Sequence, residues 1–360
     1  MIIEKDRFDS SAPVLGAGAL GGGAAASVRR WRTVQVAAML GALGLWVGLW
    51  LVPGVALNIL WNGIVPMAPA LFVLATGLWR NLCPLGSISL LPRKLGLSQK
   101  RRVDGVLQAR LQLLGVVMLL LIIPLRRVLL DLNGPATAVT LLLTAMVAVC
   151  LGCIFEWKSA WCAGACPVLA VETLYGRKPV KSFTNAHCAS CQGCVMRCPD
   201  SLGSSAASQS VVRSKRLALF LMTGGFPGFV WGWMHVPDYP LREGWHHLAE
   251  AYGLPALGMA VSLLLFAGLR KLVPSQRRAL LATLFAAASV IIYYWFRLPS
   301  LIGFSMFPNG DETLIDLRHS LPDWFPWVLR YASTLFLLGW FLRPSSSGIW
   351  MPRPRATRQA

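Results

Sequence analysis

Of the chain's nine cysteines, four have a type and spacing that could do chemistry together. Cys188, Cys191, Cys194 and Cys198 lie in "NAHCASCQGCVMRCPD" at the spacing C-x2-C-x2-C-x3-C-P. Bacterial iron–sulfur proteins use this run to hold a [4Fe–4S] cubane through thiolates. Two-residue spacers let consecutive thiolates wrap one corner of the cubane while the intervening N–H groups turn toward its sulfurs. Gly193 eases so tight a path, and Pro199 stops the preceding turn from continuing. Four cysteines could also hold structural zinc, but zinc sites usually pair two separated C-x-x-C knuckles.

The fourth ligand is open. In two-cluster proteins the C-P cysteine ligates the other cluster, so Cys198 need not bind the cubane of Cys188, Cys191 and Cys194. Upstream, "WCAGACPV" places Cys162 and Cys166 in a C-x3-C-P pattern, and "LWRNLCPLG" repeats the C-P ending at Cys83, with Trp79 in the place of the first cysteine. Either one cubane uses Cys198 or a remote thiolate such as Cys166, or two clusters share these loop cysteines. The one-cluster scheme requires less. Cys150 and Cys153, in "AVCLGCIF", read as small buried hydrophobes.

The elements that must position these thiols are membrane helices. The chain is 55% hydrophobic and only 14% charged, with a mean hydropathy of +0.57, far too apolar for an ordinary soluble domain. About 20 apolar residues cross a bilayer core as a helix, and eight segments qualify: 33–52, 57–79, 111–129, 136–154, 217–234, 252–270, 279–296 and 325–342. The second is the most irregular, because Pro66 and Pro69 each lack an N–H and kink it. Trp46, Trp50, Trp79, Trp157, Trp231 and Trp233 read as interfacial belts.

The net charge of +19 lies in short clusters between apolar stretches, as topogenic charge does, so no nucleic-acid partner is expected. With both termini cytoplasmic, every Lys and Arg falls in a cytoplasmic piece except Arg126, Arg127, Arg242, Arg297, Arg318 and Arg330. Because positive charge biases short loops toward the cytoplasm, this fixes the expected orientation in the cell's inner (cytoplasmic) membrane, with both termini and the iron–sulfur segment cytoplasmic. The expected organisation is a flexible tail over 1–32, a four-helix membrane region over 33–154 with a C-P loop at 80–110, a cytoplasmic iron–sulfur segment over 155–216, a second four-helix region over 217–343, and a basic tail over 344–360. Segment 155–216 holds little apolar material for a core of its own, so a cluster and the membrane surface are expected to hold it together.

Other signals are weaker. "GAGALG" at 16–21 matches a dinucleotide fingerprint, but no strand precedes it and a membrane span follows. His235, His246, His247 and His319 fall in or beside non-cytoplasmic loops. Neutral imidazoles there could ligate haem or copper or bind a quinol headgroup, although simple interfacial anchoring accounts for them too. His187 neighbours Cys188. Lys158, Arg177, Lys178, Lys181 and Arg197 surround the cysteines, where they could offset a cluster's negative charge.

Paired C-P loops after membrane helices, followed by a ferredoxin run, resemble the NapH/NosR/CcoG group of membrane-bound ferredoxin-type proteins over roughly residues 30–200. The resemblance implies electron transfer between the quinone pool or a cytoplasmic donor and a respiratory or metalloenzyme-maturation partner. It implies cluster ligation by Cys188, Cys191, Cys194 and Cys198, and C-P loop roles for Cys162, Cys166 and Cys83. The chain departs from the group in having one ferredoxin run, a C-P loop short of one cysteine, and four further spans. The expected fold is an all-α polytopic membrane protein of about eight transmembrane helices, with a small ferredoxin-like [4Fe–4S] segment inserted in a cytoplasmic loop. Its expected partners are membrane lipid, redox proteins and a quinone. The rival reading is a transporter or assembly factor whose cluster senses redox state or iron. No substrate-turnover site is visible.

Overall fold

A computed structural model describes residues 22–156, 158–176, 213–239, 244–305 and 313–343. The run from Cys188 to Cys198, together with Trp157, His187, Arg177, Lys178, Lys181, Arg197, Arg242 and the glycine-rich segment 16–21, lies outside them. Among the described residues there is no strand, only an isolated bridge between Arg101 and Phe155.

Eight helical stretches are long and apolar enough to cross a membrane, and they coincide in order and place with the eight expected segments. The first is α1 (Gly22–Leu51), which begins inside the expected 1–32 tail. The second comprises α2 (Pro53–Leu57), a π-helical stretch Asn58–Ile64 and α3 (Val65–Leu82). Short helices α4 (Pro84–Ile88) and α5 (Leu91–Lys94) follow. The third is α6 (Gly105–Leu125), continued by a π-helical turn Arg126–Leu130; the fourth is α7 (Gly134–Ile154). A π-helical turn Trp161–Ala165 then leads to α8 (Pro167–Tyr175). The fifth span joins α9 (Arg213–Phe220), a π-helical turn Leu221–Gly225 and α10 (Phe226–Met234). The last three are α11 (Leu248–Leu272), α12 (Arg278–Leu301) and α13 (Phe325–Leu342). Asp104 and Asn133 cap α6 and α7, accepting from Leu107 N–H and Ala136 N–H.

The fifth span is the axis of the bundle: 67% of its apolar window is buried, against 6% for the first. Phe226, Phe229, Val230 and Trp233 of α10 meet Phe72 of α3, Val116 of α6, Val290, Tyr293 and Tyr294 of α12, and Phe341 of α13 in one core. Lipid tails are as apolar as leucine, so such helices associate through close packing rather than water exclusion. Gly228 provides it, since a Cβ there would collide with the backbone carbonyl of Gly258, and a Cβ on Gly258 would collide in return with that of Gly228.

The second span crosses as expected, but its irregularity begins before the prolines. In the π-helical register Pro66 would donate to the Trp61 carbonyl and has no N–H to do so. Arg297 of α12 donates to that carbonyl at 3.0 Å and also to Asn62 Oδ1, while Tyr294 Oη donates to the Pro66 carbonyl at 2.8 Å. A buried backbone acceptor thus finds its partner on another helix. The backbone breaks again at Ala75, whose φ and ψ are −156° and 64°.

A further difference concerns the segment 155–216. Its first part packs within the bundle rather than relying on a cluster and the membrane surface for cohesion. Trp161, Leu169, Leu174 and Tyr175 are all buried, and α8 lies against α3, α6 and α12. The Tyr175 hydroxyl reaches Ser289 in the middle of α12, so α8 enters the bundle without crossing it.

Candidate functional site

Two proline-led helices build the site. Cys83 caps α4 with φ −57° and ψ 116°, and Cys166 caps α8 with φ −64° and ψ 119°. Both have the extended conformation that a following proline enforces, and Pro84 and Pro167 occupy the first helical positions, where the missing N–H costs nothing. The N–H groups of Gly86 and Leu85 turn toward the Cys83 sulfur, and those of Leu169 and Val168 toward Cys166. The two C-P loops, far apart in sequence, therefore present their thiols in the same way.

They also present them to one small cavity. Its wall includes Trp79, Cys83, Gly86, Lys158, Cys162 and Cys166. A methyl group on Gly86 would lie 3.7 Å from Cys162 Sγ, 3.7 Å from Lys158 Nζ and 3.8 Å from Cys83 Cβ. Arg80, Val168 and Glu172 also line it, with the Arg80 and Glu172 side chains paired at 2.5 Å. Trp79, expected in an interfacial belt, instead lines this cavity and packs edge-on against Phe72, with ring centroids 5.3 Å apart.

Burial dominates the electrostatics here. It pushes the Cys83 thiol up from its ordinary pKa, against smaller opposing effects from the Gly86 N–H and the Lys158 ammonium. Cys166 is raised well above its ordinary value, first by burial and then by the neighbouring sulfurs of Cys162 and Cys83. Among the described residues no group of three or more His, Cys, Asp or Glu side chains could hold a metal ion. The three sulfurs share a cavity wall without converging as a ligand set. Comparison with protein families, curated proteins and solved structures found no match.

Cys150 and Cys153 stand apart from this cavity on α7. Cys150 is exposed on the helix surface and Cys153 half-buried, so the expectation of a buried hydrophobe fails for Cys150, which faces outward. The histidines are dispersed. His235 Nδ1 donates to the Trp231 carbonyl at 2.7 Å, and its ring lies tilted against that of Trp231. His247 stacks on Tyr239 with centroids 4.1 Å apart, while His246 and His319 are exposed.

Sequence reasoning missed a buried cationic cluster at the opposite end of the bundle. Arg126 pairs with Asp131 at 2.8 Å, and its guanidinium lies 4.0 Å over Trp61. Arg127 pairs with Asp238 at 2.7 Å and lies 4.9 Å over Trp233. Trp233 is therefore a buried platform for two guanidiniums, not a belt residue. Two adjacent arginines ending an apolar segment, with Asp131 close behind, were the available signal.

Proposed function

We propose that the chain is a multi-pass membrane protein of the NapH/NosR/CcoG type that carries single electrons through a [4Fe–4S] cluster. The observation that carries this reading is the C-x2-C-x2-C-x3-C-P run, whose Cys188, Cys191, Cys194 and Cys198 supply the thiolate set of a cubane. When bound, the cluster supplies a one-electron couple. The chain's own share is to hold that couple beside the membrane and to set the charge around it.

Two features support the reading. Eight apolar helices give the chain its anchor in lipid, and the connection that carries the run also contributes Cys162, Cys166 and Lys158 to the thiol cavity. Buried Lys158 places a positive charge against these sulfurs, offsetting negative charge that developed on them. The clustering of Lys and Arg favours the cytoplasmic side of an inner membrane for this end. A cytoplasmic donor or the quinone pool would deliver electrons, and a respiratory or metalloenzyme-maturation partner would receive them.

Replacing Cys191 or Cys194 by Ser tests the ligand assignment. The visible absorption of the cluster should disappear while membrane insertion persists. A fully loaded cluster in either variant would refute the assignment.

A further inference from the structure

We propose that the seam between α12 and α13, at the end opposite the thiol cavity, binds the phosphate of a membrane phospholipid through Arg330. This inference is independent of the electron-transfer reading.

Arg330 lies five residues into α13, about 7.5 Å along the helix axis, so it sits just inside one end of an apolar span. Its side chain crosses to the neighbouring helix, where Nε donates to the Trp295 carbonyl at 3.1 Å. The guanidinium then lies 4.7 Å over the Trp327 ring and 5.7 Å from that of Trp295. Tyr331 completes the aromatic wall, 5.5 Å from Trp295 and 6.4 Å from Trp327. These rings face outward: Trp327 is 50% and Tyr331 56% exposed.

The charge balance identifies the occupant. Arg126 and Arg127, at the same end of the bundle, each have a carboxylate within 3 Å. Among the described residues Arg330 has none. A guanidinium carries five N–H groups in a planar fork; Nε–H is committed to Trp295, which leaves the terminal nitrogens to face an acceptor. A cation at this depth is costly without a counter-ion, and the surroundings supply one acceptor in abundance, the phosphate of the lipid headgroup layer. Arginine matches that group bidentately, while Trp and Tyr are the side chains that settle at headgroup level. Nε anchored to α12 and the ring of Trp327 beneath the plane hold the fork in one orientation. That makes the seam a shaped site rather than a snorkelling side chain.

Native mass spectrometry of the full chain, released from detergent with phosphatidylglycerol or with uncharged diacylglycerol, tests the proposal. The wild-type protein should retain phosphatidylglycerol and not diacylglycerol. Arg330→Gln should lower retention by about tenfold or more, as loss of a charge-assisted hydrogen bond implies, and Arg330→Lys should restore part of it. Because Arg330→Gln also loosens α12 from α13, Trp327→Leu, which keeps the Trp295 bond, should lower retention as well. Equal retention by wild type and Arg330→Gln would overturn the proposal. Displacement of the lipid by excess inorganic phosphate would overturn the lipid as the occupant. Asp311 and Glu312 lie outside the described residues; if retention appeared only after both were replaced by amides, they and not lipid would be the counter-ion.

Discussion

Arg80 Nε donates to Glu172 Oε1 at 2.5 Å, with both side chains more than nine-tenths buried. Arg80 stands just before Cys83 and Glu172 a helical turn and a half after Cys166, so this one pair locks the two C-P loops together over the thiol cavity. Breaking a buried pair leaves an uncompensated charge, which is costlier than removing both partners.

Arg80→Leu should therefore destabilise the protein by about 3–5 kcal/mol, and the double variant Arg80→Leu with Glu172→Leu by clearly less. Denaturant-induced unfolding in mixed micelles measures both. A double variant as unstable as the sum of the single ones would show that the two residues are not coupled.

Arg297 replaces the hydrogen bond that Pro66 cannot make. Arg297→Met should cost about 1–3 kcal/mol by leaving the Trp61 carbonyl without its donor. Pro66→Ala returns an N–H to the helix and should recover part of that loss in the double variant. Thermal unfolding of the four proteins decides it; no recovery would mean that the missing N–H is not what Arg297 serves.

The crossing of α10 over α11 depends on Gly228 and Gly258. Gly228→Ala should destabilise by about 1–3 kcal/mol, the range for overpacking. Gly253→Ala on α11, where a Cβ meets nothing within 4 Å, should be neutral or slightly stabilising. Equal effects from the two would contradict the close approach.

The helix count and the kinked second span were legible because each depends on local hydropathy and proline chemistry. The thiol cavity was only half legible. The cysteine spacing marked Cys83, Cys162 and Cys166, but their meeting depends on contacts between the loops near residues 80 and 165, which no local pattern encodes. Trp79 and Trp233 misled for the same reason: a Trp near a span end reads as belt until its neighbours are known. The burial of α8 was hidden because a nine-residue helix is too short to register as a membrane element.

Titration of the buried thiols gives a further expectation. Only the thiolate alkylates quickly, and burial raises the pKa of Cys83 and Cys166. Their reactivity should therefore develop at higher pH than that of an ordinary cysteine. Lys158→Met removes a charge that favours the Cys83 thiolate, so it should push the Cys83 profile higher still. Residue-resolved mass spectrometry after maleimide labelling across pH reads both. A Cys83 profile unmoved by Lys158→Met would contradict the contact.

The central claim is tested most directly on anaerobically purified full-length protein, by quantifying iron and acid-labile sulfide and recording low-temperature EPR before and after dithionite. The account predicts about four iron and four sulfide per chain, the content of one cubane, and a signal that appears on reduction. Zinc without sulfide, and no reducible centre, would contradict it.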